Sequence, residues 1–481
     1  MSKFTRRDFL KTTAGAAAAT TLGAGGTLVA GDALAQATGQ WKPEKGASLR
    51  VLRWKRFVQG DEDKWLENTK LFTQKTGIPV RVDSEGWEDV RPKAAVAANV
   101  GSGPDIIIST FEDAHQYPDK LVDVTDVCNY LGNKYGGWYD VCKSYCVEKN
   151  KWIAVPMGCA GNAIVHRIGA MKKAGFEQFP KDTAGFLKLA QAYKAAGMPA
   201  GFALGNATGD GNVWCHWLVW SHGGKMVDKK GNVVIASPET EAALNYGKQL
   251  YETFIPGTLS WLDPNNNKAF LDGQIGMTAN GISIYYAAKT SKDEKMKAMA
   301  EDIGHANFPI GPVGRTTELN LFFPMMLFKY SKYPHAAKAY LAFMMEKDQY
   351  EPWQQAALGY VSHPLKAYEE PALDVGSEER SVQQLHGGDA PQRIRRPDGL
   401  RIRRVHGRLH HREHGGRGGL GLEVAEGGDG AREDAGGKVL QALRSDPGLR
   451  WGDTLCSGSS TTGTSSATSS WRRRGCCCSS S

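Results

Sequence analysis

The sequence has little that would mark a membrane-embedded protein or a common enzyme. After the first 35 residues, no apolar run approaches the roughly 20 residues that a membrane-spanning helix needs. The body of the chain, residues 36–370, also has no Gly-x-Ser-x-Gly motif, no His-Glu-x-x-His motif and no phosphate-binding glycine loop. We therefore expect no catalytic residues and no cofactor, and the sequence predicts that the protein is not an enzyme.

Concentrated basic charge is also missing from the body. The formal net charge is +8, of which the first 35 residues carry about +2 and residues 371–481 about +4. The body is left with about +2. A nucleic-acid-binding surface requires clustered Lys and Arg, so we expect no nucleic-acid partner.

Cysteine and histidine do not occur in pairs at the spacing of a zinc site, and no metal is expected. The body holds an odd number of cysteines: Cys128, Cys142, Cys146, Cys159 and Cys215. In an oxidising compartment at least one of them would remain a free thiol. Cys128 could pair with Cys142 or Cys146 across a Gly/Tyr-rich loop, and the sequence leaves both pairings and the unpaired state open.

The N-terminus carries a clear targeting signal. Thr5–Lys11 contains the paired arginines Arg6 and Arg7, followed by Phe9, Leu10 and Lys11. This is the pattern of a bacterial twin-arginine export signal. A mild stretch of Ala, Thr and Gly follows at 13–31, and Ala-Leu-Ala ends at Ala35. We expect export by the twin-arginine machinery, cleavage after Ala35 and a periplasmic mature protein.

Strand and helix patterns alternate in the body, which predicts an α/β protein with a parallel sheet at its start. The predicted strands are 49–54, 78–82, 103–109, 152–156, 163–166, 275–279 and a crossing at 319–328. The predicted helices are 61–76, 87–100, 183–195, 212–221, 238–254, 335–347 and 350–358.

The composition changes near Glu370. Beyond it Lys438 is the single lysine, while Arg, Gly and His become frequent and the end is Ser/Thr-rich. Taken as written, residues 371–481 predict a disordered tail. The preferred interpretation is that this tail is coding sequence translated in a shifted frame, because His406–Arg417 read one base later can encode an apolar helical peptide.

Several motifs in the body occur in the order typical of one protein family. They are Ala97–Ile107, Trp152–Met157, Phe270–Gly281 and Phe308–Pro312. Each is weak alone, but the ordered set over about 45–370 resembles the extracellular solute-binding proteins of ABC importers for sugars and oligosaccharides, of the family 1 type.

The resemblance implies two α/β lobes joined by hinge crossovers, a type II-like periplasmic-binding-protein fold, which close on the solute. It implies an N-terminal lobe of 45–157 plus 281–318 and a C-terminal lobe of 162–278 plus 326–370. The crossovers would fall at Met157–Asn162, Asn280 and Asn320–Pro324. The expected partners are a carbohydrate and the ABC permease of the inner membrane, and the expected state is a monomer.

A sugar site needs aromatic faces for the C–H surface of the ring and polar groups for its hydroxyls. Candidates therefore follow strand ends, line a Trp-rich helix or lie at the inferred crossovers. The predicted ligand-binding residues are Glu85, Trp87, Phe111, Glu112, Asn162, Trp214, Trp217, Asn280, Tyr285 and Asn320.

Two other functions remain alternatives to a sugar receptor. One is a binding protein for another small solute, such as a polyamine or a glycerol-phosphate compound, and the other is an exported enzyme. A charged solute would need several charged side chains in the cleft. The Trp-rich and nearly neutral candidates favour a neutral polyol instead.

Overall fold

The computed structural model describes residues 40–55 and 57–368, which form a six-stranded sheet, a three-stranded sheet and a small two-stranded hairpin. The predicted leader 1–35 and the predicted tail 371–481 lie outside these ranges. The strands are β1 Leu49–Trp54, β2 Val80–Glu85, β3 Ile106–Ile108, β4 Val147–Glu148, β5 Lys151–Trp152, β6 Val155–Ala160, β7 Ala163–Arg167, β8 Met277–Asn280, β9 Ile303–Ala306, β10 Leu321–Leu327 and β11 Val361–Ser362.

The helices surround the sheets. They are α1 Gln59–Thr76, α2 Trp87–Val100, α3 Asp113–Gln116, α4 Thr125–Lys134, α5 Asp140–Cys146, α6 Ile168–Lys173, α7 Thr183–Ala195, α8 Asp210–Ser221, α9 Pro238–Tyr251, α10 Asp263–Leu271, α11 Ser283–Lys289, α12 Glu294–Ala300, α13 Pro334–Met344 and α14 Lys347–Ala356. A 3₁₀ turn covers Thr258–Ser260. No helix among the described residues is long and apolar enough to cross a bilayer.

The first lobe is built on a six-stranded sheet in the order β11-β6-β10-β3-β1-β2. β1 pairs in parallel with β2 and β3, and β10 pairs antiparallel with β3 and β6. β3 and β10 are buried along their whole length, as strands covered on both faces must be. The predicted α/β class and the parallel opening of the sheet are confirmed.

The second lobe is built on a three-stranded antiparallel sheet in the order β8-β7-β9. Ala163 at the start of β7 lies opposite Asn280 at the end of β8. On the other side of β7, Ile164 lies opposite Ala306. This register brings the residues that precede β7 next to those that follow β8.

The distribution of the chain between the lobes differs from the expected one. Residues 281–318 were assigned to the first lobe, but β9 hydrogen-bonds to β7 in the second sheet. Residues 326–370 were assigned to the second lobe, but α13 and α14 pack on α1 and β11 pairs with β6 in the first sheet. The motifs place segments along the chain, whereas only strand pairing shows which sheet each segment joins.

The crossovers change accordingly. The chain passes from β6 of the first sheet to β7 of the second through Gly161 and Asn162, at the predicted position. Asn280 is not a crossover, because the chain after it stays in the second lobe through β9. The return to the first sheet occurs over 307–320, between β9 and β10.

Aromatic packing holds α13 and α14 on the first lobe. Trp353 of α14 packs edge-on against Trp65 of α1, with ring centroids 5.8 Å apart. Tyr340 of α13 packs in the same way on Phe72, at 5.2 Å, and its hydroxyl lies 2.8 Å from Thr69 Oγ1. These contacts bury Trp65, Thr69 and Phe72 on one face of α1.

All five cysteines of the described chain are free thiols. Cys128, Cys142 and Cys146 are buried, and Cys159 and Cys215 are half-buried. The pairing of Cys128 with Cys142 or Cys146 is therefore not formed in this structure. The described residues also contain no group of three or more His, Cys, Asp or Glu side chains that could hold a metal ion.

Candidate functional site

A pocket lies where the two lobes meet, at the crossover between β6 and β7. Both lobes contribute to its wall. The first lobe supplies Phe57, Trp87, Ala160, Leu321 and Tyr360. The hinge and the second lobe supply Gly161, Asn162, Gly209, Asp210, Asp263, Asn280, Gly281 and Ser283.

Trp87 is the main aromatic residue of this wall. It begins α2 directly after β2, and it packs edge-on against Trp54 and Phe57 at 5.2 and 5.5 Å. Its indole N–H is buried and has no hydrogen-bond partner among the described residues. A buried donor without a partner is costly, so this N–H is available for a ligand oxygen.

Gly209 lets the second lobe approach this tryptophan closely. A Cβ atom placed on Gly209 would lie 3.3 Å from Trp87 Nε1 and 3.1 Å from Asp263 Oδ1. At the hinge, a Cβ atom on Gly281 would lie 2.5 Å from the carbonyl oxygen of Gly161. A side chain at Gly209 would crowd Trp87 across the cleft, and one at Gly281 would crowd the hinge backbone.

Asn162 and Asn280 meet at the pocket because of the register between β7 and β8. Asn162 is buried, and its Oδ1 has no partner among the described residues. Asn280 is held in a polar network: its Nδ2 donates to Asp210 Oδ2 at 3.1 Å, and its Oδ1 accepts from Ser283 Oγ at 2.8 Å. One amide is therefore fixed in orientation while the other keeps a free acceptor.

Two carboxyl groups lie in the same wall at the start of α8 and α10. Asp263 accepts the backbone N–H groups of Gly209 and Asp210 at 2.9 and 2.6 Å. Asp210 Oδ2 accepts from Asn266 Nδ2 at 2.7 Å. Burial raises the pKa of Asp210 well above the ordinary carboxyl range, and the neighbouring Asp263 raises it further. Burial also raises the pKa of Asp263, against the lowering effect of the two backbone donors.

The pocket is almost closed. Its volume is about 30 Å³, whereas sites for small organic ligands hold roughly 300–1,000 Å³. The N–H of Gly60 on α1 donates to the hydroxyl of Tyr286 on α11 at 2.8 Å, which joins the two lobes beside the pocket. The pocket in this structure is therefore too small for a sugar, and this hydrogen bond spans the cleft next to it.

The structure brings three of the ten predicted site residues into this pocket, namely Trp87, Asn162 and Asn280. Asn320 directly precedes the lining residue Leu321, and its carbonyl oxygen accepts from the Tyr145 hydroxyl at 3.3 Å.

The other first-lobe candidates make contacts away from the pocket wall. Glu85 is paired with Lys93 at 2.5 Å. Glu112 is paired with Arg91 at 2.9 Å. Phe111 is buried and has a positive φ of 54°, and its N–H donates to the Phe322 carbonyl at 2.8 Å.

The tryptophans of α8 lie in the interior of the second lobe. Trp214 packs on Phe202 and its indole N–H donates to the Ala203 carbonyl at 2.8 Å. Trp217 packs on Phe308 and donates to the Pro309 carbonyl at 2.9 Å. Both residues are buried, and neither lines the pocket. Tyr285 is also buried in the second lobe, with its ring 6.1 Å from that of His305.

Sequence reasoning did not select Asp210, Asp263, Ser283 or Tyr360 as site residues. The Gly-Asp-Gly-Asn opening of α8 was a usable signal for Asp210, and Asp263 precedes a proline at a helix start. Tyr360 gave no signal, because it reaches the pocket only through the pairing of β11 with β6.

Comparison with protein families identifies two segments. The model of the bacterial extracellular solute-binding proteins matches residues 69–376. The model of the twin-arginine translocation signal matches residues 3–23. A binding protein of Brucella abortus (strain 2308) is 23% identical over 288 residues, which cover 59% of this chain and 68% of the relative.

Solved structures share the fold. A maltose-bound protein of T. maritima superposes with a TM-score of 0.62 at 20% identity, covering 71% of this chain and 87% of that protein. A solute-binding protein of Agrobacterium radiobacter K84 with ribitol gives 0.56 at 18% identity, covering 66% and 80%. One of Agrobacterium vitis S4 with D-mannitol also gives 0.56 at 18% identity, covering 66% and 77%.

Proposed function

The chain belongs to the family of bacterial extracellular solute-binding proteins, and on this premise we propose that its solute is a sugar or polyol bound between the two lobes. The twin-arginine signal directs the protein to the periplasm. A protein of this family binds a ligand and serves a membrane permease. The solved relatives with maltose, ribitol and D-mannitol support the choice of a carbohydrate or polyol.

The observation that carries the proposal is the pocket at the hinge. Trp87 offers an aromatic surface and a free indole donor, and Asn162 offers a free amide acceptor. Hydroxyl groups both donate and accept, so a polyol can satisfy both atoms at once. The predicted roles of Trp87, Asn162 and Asn280 in ligand binding are retained in this proposal.

Binding is proposed to work by a shift between open and closed states. The solute contacts both walls of the pocket only when the lobes are closed, so it favours the closed state that the permease receives. The pocket serves capture and release with no chemical step on the solute, and the receptor acts as a monomer. An exported enzyme is the alternative from another class.

A titration of tryptophan fluorescence against a panel of sugars and polyols tests the proposal. We expect a saturable change in the Trp87 signal for at least one member of the panel, and full recovery of that solute afterwards. Trp87→Phe keeps an apolar ring and should remove most of the change. A time-dependent conversion of the solute would support the enzyme instead.

A further inference from the structure

The pocket wall contains two carboxyl groups, Asp210 and Asp263, that no cation of the described chain pairs with. Asp210 and Asp263 are 8% and 3% exposed. Their partners are neutral: backbone N–H groups of Gly209 and Asp210, and the side-chain amides of Asn266 and Asn280. The charge of Asp263 acts on Asp210, and neither carboxylate forms an ion pair with a described Lys or Arg.

A third carboxyl group lies close to this pair from the opposite lobe. Glu88 follows Trp87 at the start of α2, and its Oε1 is buried without a partner among the described residues. Its charge opposes the ionisation of Asp263. The nearly neutral composition of the body favoured a neutral solute, but folding gathers acidic groups from distant parts of the chain into one cleft.

Two polar atoms without partners lie in the same pocket wall as the two carboxyl groups. The indole N–H of Trp87 and Oδ1 of Asn162 both belong to the pocket lining, and both are buried without a partner among the described residues. Trp87 is 6% exposed and Asn162 is 4% exposed. The rings of Phe57, Trp87 and Tyr360 complete the lining. Aromatic faces and carboxylates together attract an ammonium group, which also donates to amide oxygens.

We propose that the solute is an amino sugar or an aminopolyol whose ammonium group lies against Asp210 and Asp263 when the lobes close. This inference rests on the proposed sugar or polyol function and narrows its substrate class. Around a neutral polyol the carboxyl groups have no opposite charge beside them, so burial raises their pKa and favours the protonated form. An ammonium group stabilises the ionised carboxylate and leaves the hydroxyls for Trp87 and Asn162.

Matched solutes that differ only in the amino group test the inference by calorimetry at pH 7 on the chain purified from the periplasm. The pairs are D-glucamine with D-sorbitol and D-glucosamine with D-glucose. We expect the amino member to bind about tenfold or more tightly, the fold-change expected from one hydrogen bond to a charged group. Equal or tighter binding of the neutral member would overturn the ammonium proposal and leave the sugar receptor intact. If neither pair binds while another neutral sugar or polyol of the panel does, the ammonium proposal is overturned alone, whereas a panel with no binding member would overturn the sugar function.

Variants locate the preference in the acidic pair. Asp210→Asn keeps the shape and an acceptor for Asn266 and Asn280, and it should reduce the amino preference to about threefold or less. Asp119→Asn removes an exposed carboxylate of the first lobe and should keep the full preference. If Asp210→Asn fails to fold in a thermal melt, Asp263→Asn serves as the second variant. Retention of the preference in a folded variant would overturn the assignment of the two carboxylates.

Discussion

At the scale of single residues, burial controls the chemistry of the second lobe as well as that of the pocket. His166 and His305 lie on the neighbouring strands β7 and β9, and both are buried. Burial lowers the pKa of each from 6.5 to about 4. A positive charge on His166 would repel one on His305, and this repulsion lowers the pKa of His305 further. Both side chains are therefore neutral in the folded protein at pH 7.

These histidines predict a loss of stability in mild acid. The unfolded chain takes up protons below about pH 6.5 while the folded chain does so only near pH 4, so the free energy of unfolding decreases as the pH falls between these values. The loss is of order 3 kcal/mol for each histidine. Urea unfolding at pH 7 and pH 4.5 measures it, and His305→Gln should have a flatter profile. The exposed residue His335 provides the control, since His335→Gln should leave the profile unchanged.

At the scale of elements, local sequence signals predicted the bounds of a helix correctly where its two ends carry clear start and stop residues. Trp87–Val100 and Thr183–Ala195 have the predicted bounds. The latter begins at Asp182, whose carboxylate accepts from the Gly185 N–H at 2.7 Å. By contrast, β9 was not predicted, because Ile303–Ala306 is a four-residue segment that becomes a strand only by pairing with β7.

The cap of α7 gives a prediction for that element. Asp182→Ala removes the acceptor for one free N–H of the first turn and should lower the free energy of unfolding by about 1 kcal/mol. Asp182→Asn is the matched control, because Asn caps helices as well as Asp and should stay within a few tenths of a kcal/mol. Urea unfolding compares the three proteins. Equal losses in both variants would show that charge, and not the cap, is responsible.

The hydrogen bond between α1 and α11 gives a prediction about closure. Tyr286→Phe removes the acceptor of the Gly60 N–H across the lobes and should weaken solute binding about fivefold, for a loss of about 1 kcal/mol in the closed state. Tyr246→Phe is the control, because the Tyr246 hydroxyl bonds to the Thr183 carbonyl within the second lobe. That change should lower the melting temperature while the affinity stays constant. Equal affinities in the two variants would contradict the role of Tyr286.

At the scale of the whole molecule, the chain passes between the six-stranded and the three-stranded sheet at 161–162 and again at 307–320. The pocket lies beside the first of these connections. The 161–162 and 307–320 segments are therefore the only described chain connections between the two larger sheets, and we propose that they act as the hinge. The pocket volume of about 30 Å³ is too small for a sugar, and binding one requires a wider cleft. The Gly60–Tyr286 hydrogen bond also joins the two lobes beside the pocket.

This geometry predicts a change in overall size on binding. Small-angle scattering of the solute-free protein should give a larger radius of gyration than the solute-saturated protein, because solute favours the closed state. A sugar that produces no fluorescence change serves as the control and should leave the radius unchanged. Identical radii with and without a bound solute would mean that the free protein is already closed.

The sequence by itself determined the export signal, the α/β class, the family and three residues of the pocket. These depend on local patterns or ordered motifs, as Arg6 and Arg7 and the helix start at Trp87 illustrate. Only the tertiary structure decided that β9 joins β7, that Trp217 is interior packing, and that Asp210 and Asp263 share a wall with Trp87. The physical reason is that strand pairing and burial join residues far apart in the chain, and the charge and hydrogen bonds of a cleft depend on which of them meet.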